Sequence, residues 1–281
     1  MDYRKAFFVE PGKKLKLKDF DPNSTEGCDS KEAAAGGLDA YGQALAHQQK
    51  LLYAEKKHAL LIVLQGSDAS GKDGAIRRTF TCFNPQGVNV TSFKEPTPVE
   101  LAHDFLWRIH WHVPAKGDVA IFNRSHYEDV LITRVRKIID DKTAVDRLAR
   151  IRDFETLLVE SGTVILKFFL HISKEEQLAR FEKRLVDPER NWKISEADYS
   201  ERPFWDDYIK VYEDALSATS TKSAPWYVIP SNRKWFRDLA LSQIVADALD
   251  DLHLRFPEPT VDLAEIRRKY HAALAAQDAD K

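Results

Sequence analysis

Five apolar runs, each short enough to be a strand, punctuate the chain: "ALLIVLQ" (59–65), "VNVTSF" (88–93), "DVAIFN" (118–123), "TVILKFFLHI" (163–172) and "WYVIP" (226–230). Most are near-continuous rather than alternating, the pattern of parallel strands covered on both faces. Amphipathic stretches at 71–83, 98–112, 143–161, 174–185 and 232–256 fill the gaps and read as helices. An approximate stripe of Leu38, Tyr41, Leu45, Leu52 and Tyr53 predicts one more helix before the first strand. The resulting βαβ rhythm predicts an α/β fold with a doubly wound parallel sheet, and residues 1–281 are expected to form a single domain.

Two regions depart from this rhythm. Residues 1–32 mix Lys, Asp, Pro, Gly and Ser without a period and are expected to be an irregular arm on the surface. The stretch between the fourth and fifth runs is too long for one crossover helix. Pro188 and Pro203 break it, and Ser195 with Asp198 has the spacing of a helix N-cap. Residues 184–202 are therefore expected to form a mobile helical lid carrying Arg184, Arg190, Lys193 and Arg202.

Composition narrows the function classes. A formal charge of -2 excludes wholesale electrostatic capture of nucleic acid, so any polyanion must meet a local basic patch. Cys28 and Cys82 lack metal-ligand spacing and predict unpaired thiols in a reducing compartment. Neither a leader-like apolar segment nor a run of roughly 20 apolar residues occurs, which points to a cytoplasmic protein without a membrane partner.

The strongest local signal is "GSDASGKD" (66–73), between the first strand and a helix. It has the layout G-x-x-x-x-G-K-[ST] of a phosphate-binding loop, with Asp73 in place of the hydroxyl residue. Backbone N–H groups at a helix start bind phosphate oxygens, and Lys72 adds a full charge. Phosphate contacts are expected from Ala69, Ser70, Gly71, Lys72, Asp73 and Gly74, with Arg77 and Arg184 nearby. A carboxylate beside phosphate is repulsive by about 4 kcal/mol for unit charges 4 Å apart at an effective dielectric near 20, unless a cation or proton lies between. Asp68 is thus a candidate metal ligand or base; Asp73 is either a second metal contact or a partner for the helix dipole.

"DVAIFNRSHYEDV" (118–130) follows as strand and loop, placing Asn123, Arg124, Glu128 and Asp129 at the strand end where ligands of open α/β sheets collect. Arg124 is a candidate clamp on a transferring phosphoryl group. "FKEPTPVE" (93–100) can line an acceptor pocket through Lys94, Pro96 and Thr97, or its prolines can simply shape a turn. His110 and His112 lack a third ligand and read as partly buried helix-end histidines. Trp205, Tyr208 and Tyr212 read as core packing.

Taken together, "GSDASGKDGAIRRTF", "FKEPT", "FLWRIHWHVPAKGDVAIFNRSHYEDVLITRV", "RNWKISEADYSERPFWDDY" and "APWYVIPSNRKWFRDLAL" resemble polyphosphate kinase 2 from about residue 35 to 256. The resemblance implies a P-loop kinase-like three-layer α/β/α fold with a five-stranded parallel sheet and a helical lid. It also implies phosphoryl transfer between inorganic polyphosphate and adenine or guanine nucleotides, with Mg²⁺ or Mn²⁺, in a homo-oligomer (dimer or tetramer). Asp68, Lys72 and Arg124 would be the catalytic residues. The commonest family pattern, F-D-R-S-W-Y-N-R, is altered here: Asn123 replaces Asp, His126 replaces Trp, Glu128 replaces Asn and Asp129 replaces Arg. "FNRSHYED" is similar to the class III subgroup, whose members phosphorylate both AMP and ADP. The rival readings are a nucleotide kinase with ATP as donor and a nucleotide-binding regulator without turnover.

Overall fold

In a computed structural model describing residues 1–279, the chain runs α1 (Tyr3–Ala6), α2 (Lys31–Glu55), β1 (Ala59–Gln65), α3 (Lys72–Thr79), β2 (Val88–Ser92), α4 (Pro98–Leu101) and α5 (Trp107–His110). It continues through β3 (Val119–Asn123), α6 (Glu128–Val135), α7 (Asp141–Glu160), β4 (Thr163–His171), α8 (Lys174–Val186) and α9 (Glu196–Ser200). The last elements are α10 (Trp205–Thr219), β5 (Trp226–Pro230), α11 (Lys234–Asp250) and α12 (Leu263–Ala279). All five strands are parallel, in the order β2-β3-β1-β4-β5.

β1 accounts for its own central place, because all of its residues are buried and a strand without alternation needs cover on both faces. Successive side chains point to opposite faces. Leu60, Ile62 and Leu64 accordingly enter a core with α2, α3 and α11, while Leu61 and Val63 enter a second core with α6, α7 and α10. Three layers follow. The loop leaving β1 and the loop leaving the adjacent β3 meet at the carboxyl edge of the sheet, where the strand order switches direction.

Several sequence expectations are corrected. The N-terminal arm is not merely superficial: Phe8 bridges Tyr227 antiparallel at the edge of β5, with Val9 N–H donating to Trp226 O and Val228 N–H to Phe7 O, both at 2.9 Å. Tyr3 and Phe7 enter one core, and Val9, Leu15 and Leu17 the other. Each apolar anchor docks singly, so no period appears, and the sheet edge gains a cover. The helix expected over 98–112 is two four-residue helices. Thr97 and Glu100 form a reciprocal capping box at the start of α4, and Asp104 accepts from Leu106 N–H at 3.0 Å in the turn before α5. Where a loop was expected after β3, α6 starts at Glu128. Tyr53 is exposed although Leu45 and Leu52 are buried, and His110 and His112 are exposed rather than partly buried. Trp205 is only partly buried and in neither core, whereas Tyr208 packs against the second core and Tyr212 lies within it, as expected.

The 184–202 segment is less helical than expected. After α8 it contains a 3₁₀ turn at Asn191–Lys193 and the five-residue α9. The Asp198 carboxylate does reach back to accept from Ser195 N–H at 2.9 Å. Both cysteines are free, and no helix among the described residues is long and apolar enough to cross a membrane.

Candidate active site

The 66–71 loop is shaped by backbone conformations that its glycines permit. Gly66 and Gly71 have φ of 148° and 99°, and Ala69 is also left-handed at 62°. A Cβ on Gly66 would lie 2.7 Å from Leu170 O, and one on Gly71 would strike the Arg237 guanidinium. Arg180 donates to Ala69 O and Ser70 O, each at 2.8 Å, and Arg237 donates to Gly71 O at 3.0 Å. Gln177 donates to Asp68 O at 3.1 Å. Ser70 N–H donates within the loop to Ser67 O at 3.0 Å, and the carbonyls of Asp68 to Gly71 are held by these side-chain donors, so the loop's shape is fixed from behind.

Arg180, Arg237 and Gln177 escaped the sequence reading because charged and amide residues on amphipathic helices normally face water. A signal was present in α8: Leu178, Leu185 and Val186 are exposed, while Gln177, Arg180 and Phe181 form the buried face. A helix with a polar inward face is holding something polar.

Lys72 opens α3 and is buried; its ammonium donates to Gly66 O at 2.7 Å and Ser67 O at 3.3 Å. Burial, aided by the Arg124 charge, brings its pKa down to about 8 against the pull of Asp68, Glu128 and Asp73. The loop's two acids have separate partners. Asp68 Oδ1 accepts from Arg124 at 2.7 Å, whereas Asp73 accepts from Asn123 Nδ2 at 2.8 Å and lies 3.6 Å from Lys193. Partial desolvation works to raise the pKa of the exposed Asp73 carboxyl, but the Asn123 bond and the Lys193 and Lys72 charges outweigh it and hold the pKa below the ordinary value. Asp68 and Asp73 therefore tie the loop to the β3 end and to the 184–202 segment.

Arg124 continues the ladder by donating its N–H to Leu64 O at 3.1 Å, then turns the chain through a left-handed φ of 62°. Such a conformation disfavours a residue with a Cβ by about 1–2 kcal/mol, so the surroundings must impose it. The turn aims the guanidinium back at Asp68. Glu128 joins the same group: with the Gln65 amide oriented to satisfy both of its ends, Gln65 donates to Glu128 Oε1 at 3.0 Å and accepts from Ser125 N–H at 3.2 Å. Burial raises the Glu128 pKa, opposed by Arg124 and Lys72.

Lys72, Asp68, Arg124, Glu128, Asn123 and Asp73 are thus brought together. Other candidates are not. Asp129 turns away and pairs with buried Arg108 at 3.1 Å, because the first turn of α6 points consecutive residues in different directions. Thr97 caps α4, and Lys94 O accepts from Arg108 at 2.9 Å; the Lys94 and Thr97 residues are exposed and Pro96 partly so. Arg184 is occupied by Asp198 at 3.3 Å and Lys193 O at 3.2 Å, and Arg77 is exposed on α3.

A family model described as polyphosphate kinase 2 matches residues 28–257. An AMP/ADP-polyphosphate phosphotransferase of Meiothermus ruber is 48% identical over 256 residues, covering 91% of this chain and 96% of that protein. An ADP-polyphosphate phosphotransferase of Rhodopseudomonas palustris is 42% identical, with 91% and 93% covered. The crystal structure of polyphosphate kinase 2 from Arthrobacter aurescens TC1 superposes with a TM-score of 0.93 at 42% identity, covering 97% of each chain. With the loop, the strand-end cluster and the three-layer fold agreeing, this chain belongs to the polyphosphate kinase 2 family.

Proposed function

We propose that the chain transfers phosphoryl groups reversibly between inorganic polyphosphate and nucleotides, converting AMP to ADP and ADP to ATP. The observation that carries the reading is the meeting of Lys72, Arg124, Asp68 and Glu128 at one edge of the sheet, with Arg124 held to Asp68 at 2.7 Å. Phosphoryl transfer asks mainly for alignment and neutralisation of charge on the moving group. Lys72 and the loop N–H groups would hold the phosphates. Arg124, forced by its backbone to face the loop, would neutralise the transferring group, and Glu128 would face the acceptor.

A polyphosphate donor is favoured over a nucleoside triphosphate by cations that extend beyond the cradle. Lys234 at the start of α11 is exposed; partial desolvation and the charges of Arg180, Arg237, Arg190 and Lys183 pull its pKa down. Crowded cations of this kind suit a polyanion longer than a nucleotide's phosphate tail. The relatives named for AMP/ADP and ADP acceptors support both acceptor steps.

Mg²⁺ or Mn²⁺ fits the donor set in a limited way. No group of three His, Cys, Asp or Glu side chains is placed to hold a metal among the described residues. Asp68 and Glu128 nevertheless offer hard carboxylate oxygens beside the loop, and Mg²⁺ commonly binds through one or two carboxylates plus substrate phosphates and water. When bound there, the ion would neutralise phosphate charge. We place the reaction in the cytoplasm, in a homo-oligomer. The test is incubation of the purified chain with polyphosphate, Mg²⁺ and AMP without any nucleoside triphosphate: ADP and then ATP should appear. A requirement for added ATP would transfer the chain to ordinary nucleotide kinase chemistry.

A further inference from the structure

Beneath the 124–128 segment lies a group of polar side chains that no reacting phosphate can touch. Lys167 enters from β4, Glu155 from α7 and Thr219 from α10; His126 and Tyr127 come from the loop after β3, and all five are buried. Lys167 Nζ pairs with Glu155 and donates to Thr219 O at 2.8 Å and to Tyr127 Oη at 3.2 Å. Tyr127 Oη donates to Glu155 Oε1 at 2.8 Å, and His126 Nε2 lies 3.3 Å from the same oxygen. Burial opposes the Glu155 charge, yet Lys167 and His126 hold its carboxyl below the ordinary value.

Stability alone does not account for this arrangement, because a buried ion pair can often be replaced by well-packed apolar residues without loss of stability. Here, moreover, His126 Nδ1 is buried without a partner among the described residues. What the group does is grip the residues that directly follow Arg124. Ser125, His126 and Tyr127 are at most 1% exposed, and the left-handed turn at Arg124 needs such an external hold.

We propose that Tyr127 and Glu155 are positioning residues for phosphoryl transfer: the buried Lys167–Glu155 pair fixes Tyr127 and His126, and through them sets Arg124 and Glu128 against Asp68 and Lys72. The inference rests on the transfer reading above. It predicts that loosening the group costs kcat rather than substrate affinity, since the loop itself is held by Arg180 and Arg237 from another side.

Tyr127→Phe keeps the ring that packs edge-on against Trp226 at 4.9 Å and removes only the hydroxyl. With polyphosphate and ADP, its kcat should fall between about tenfold and 100-fold, as for a small misplacement of a catalytic group, with both KM values within about twofold of the parent. In an Arg124→Lys background the same change should add little, because the two act through one route. Full additivity, or an unchanged kcat, would overturn the proposal. Should Glu155→Gln fail to fold, the double variant Glu155→Leu with Lys167→Met removes both charges together and should fold with the same kcat loss; full activity there also overturns the proposal. Amide hydrogen exchange gives a readout independent of turnover. Residues 124–128 should exchange faster in Tyr127→Phe while β1 and β4 stay protected, and unchanged protection refutes the positioning role even if the parent chain proves inactive. An inactive parent instead refutes the transfer reading.

Discussion

The 66–73 loop and the 184–202 segment both work with arginine and lysine, but their cations are held in opposite ways. At the loop, the Arg180 and Arg237 side chains are 6% and 1% exposed and donate to main-chain carbonyls of the loop at 2.8–3.0 Å. In the 184–202 segment, Arg184 reaches Asp198 at 3.3 Å, Lys193 reaches Asp73 at 3.6 Å, and Trp192 is 77% exposed. Buried donors cannot leave their carbonyls without stranding charge, whereas a solvent-exposed pair such as Lys193–Asp73 contributes about 0–1 kcal/mol and exchanges readily with water. On the transfer reading proposed above, the first region would be preorganised for the transferring phosphate, and Lys193 in the second would exchange Asp73 for an arriving polyanion.

The comparison breaks first if loop side chains prove dispensable. Lys72→Ala should lower kcat by about 1000-fold or more, in line with loss of a preorganised electrostatic group, while circular dichroism and Tm show a folded protein. Near-parent turnover in the folded variant would remove the cradle assignment. Asp68→Asn should cost about 100-fold or more, because an amide keeps the shape but loses the charge that pairs with Arg124 and holds a cation firmly. That loss should come with an altered Mg²⁺ titration; an unchanged rate and metal dependence would make Asp68 structural only.

Two further measurements sharpen the picture. In the free protein Lys72 loses its proton above about pH 8, since burial favours the neutral amine. Because kcat/KM follows the free enzyme, its value for polyphosphate should be level up to about pH 8 and then fall about tenfold per pH unit. A profile still level at pH 10 would contradict this assignment. Glu128→Asn should harm AMP use more than ADP use, with kcat/KM compared for the two acceptors at saturating polyphosphate. The two terminal phosphates lie about one P–O–P link apart, and a carboxylate holds a bridging metal or water for the shorter acceptor better than an amide does. Equal losses would deny Glu128 any part in acceptor choice.

How much of this was legible follows the same division between local and distant determinants. β1 and β5 stand at the boundaries their apolar runs mark, and the loop is readable because its glycines, Lys72 and the preceding strand are contiguous. α6 escaped because "EDVLITRV" is rich in β-branched residues and acquires its helical state from packing against α7 and α10. Asp129 and Glu128 are neighbours in the sequence, yet only tertiary structure assigns one to Arg108 and the other to the Gln65–Arg124 group. Glu155 and Lys167 raise no expectation in the sequence, since nothing local announces that they meet beneath Tyr127.

The smallest expected effect tests the 184–202 side of the comparison. Lys193 is 38% exposed and Asp73 68% exposed, and their 3.6 Å separation is long for a charge-assisted hydrogen bond. Solvent and salt screen such a pair, so its loss is expected to change stability by less than about 1 kcal/mol. Lys193→Ala should therefore leave Tm within a few degrees of the parent and kcat within about twofold. If Lys193 exchanges Asp73 for a polyphosphate oxygen, the variant loses one screened contact, and KM for polyphosphate should rise about two- to fivefold at low salt. That difference should shrink as KCl is raised, because added salt weakens the parent's contact and leaves the alanine variant less affected. A large loss of kcat, persisting at high salt, would instead mean that Lys193 touches the transferring group and that the segment is as preorganised as the loop.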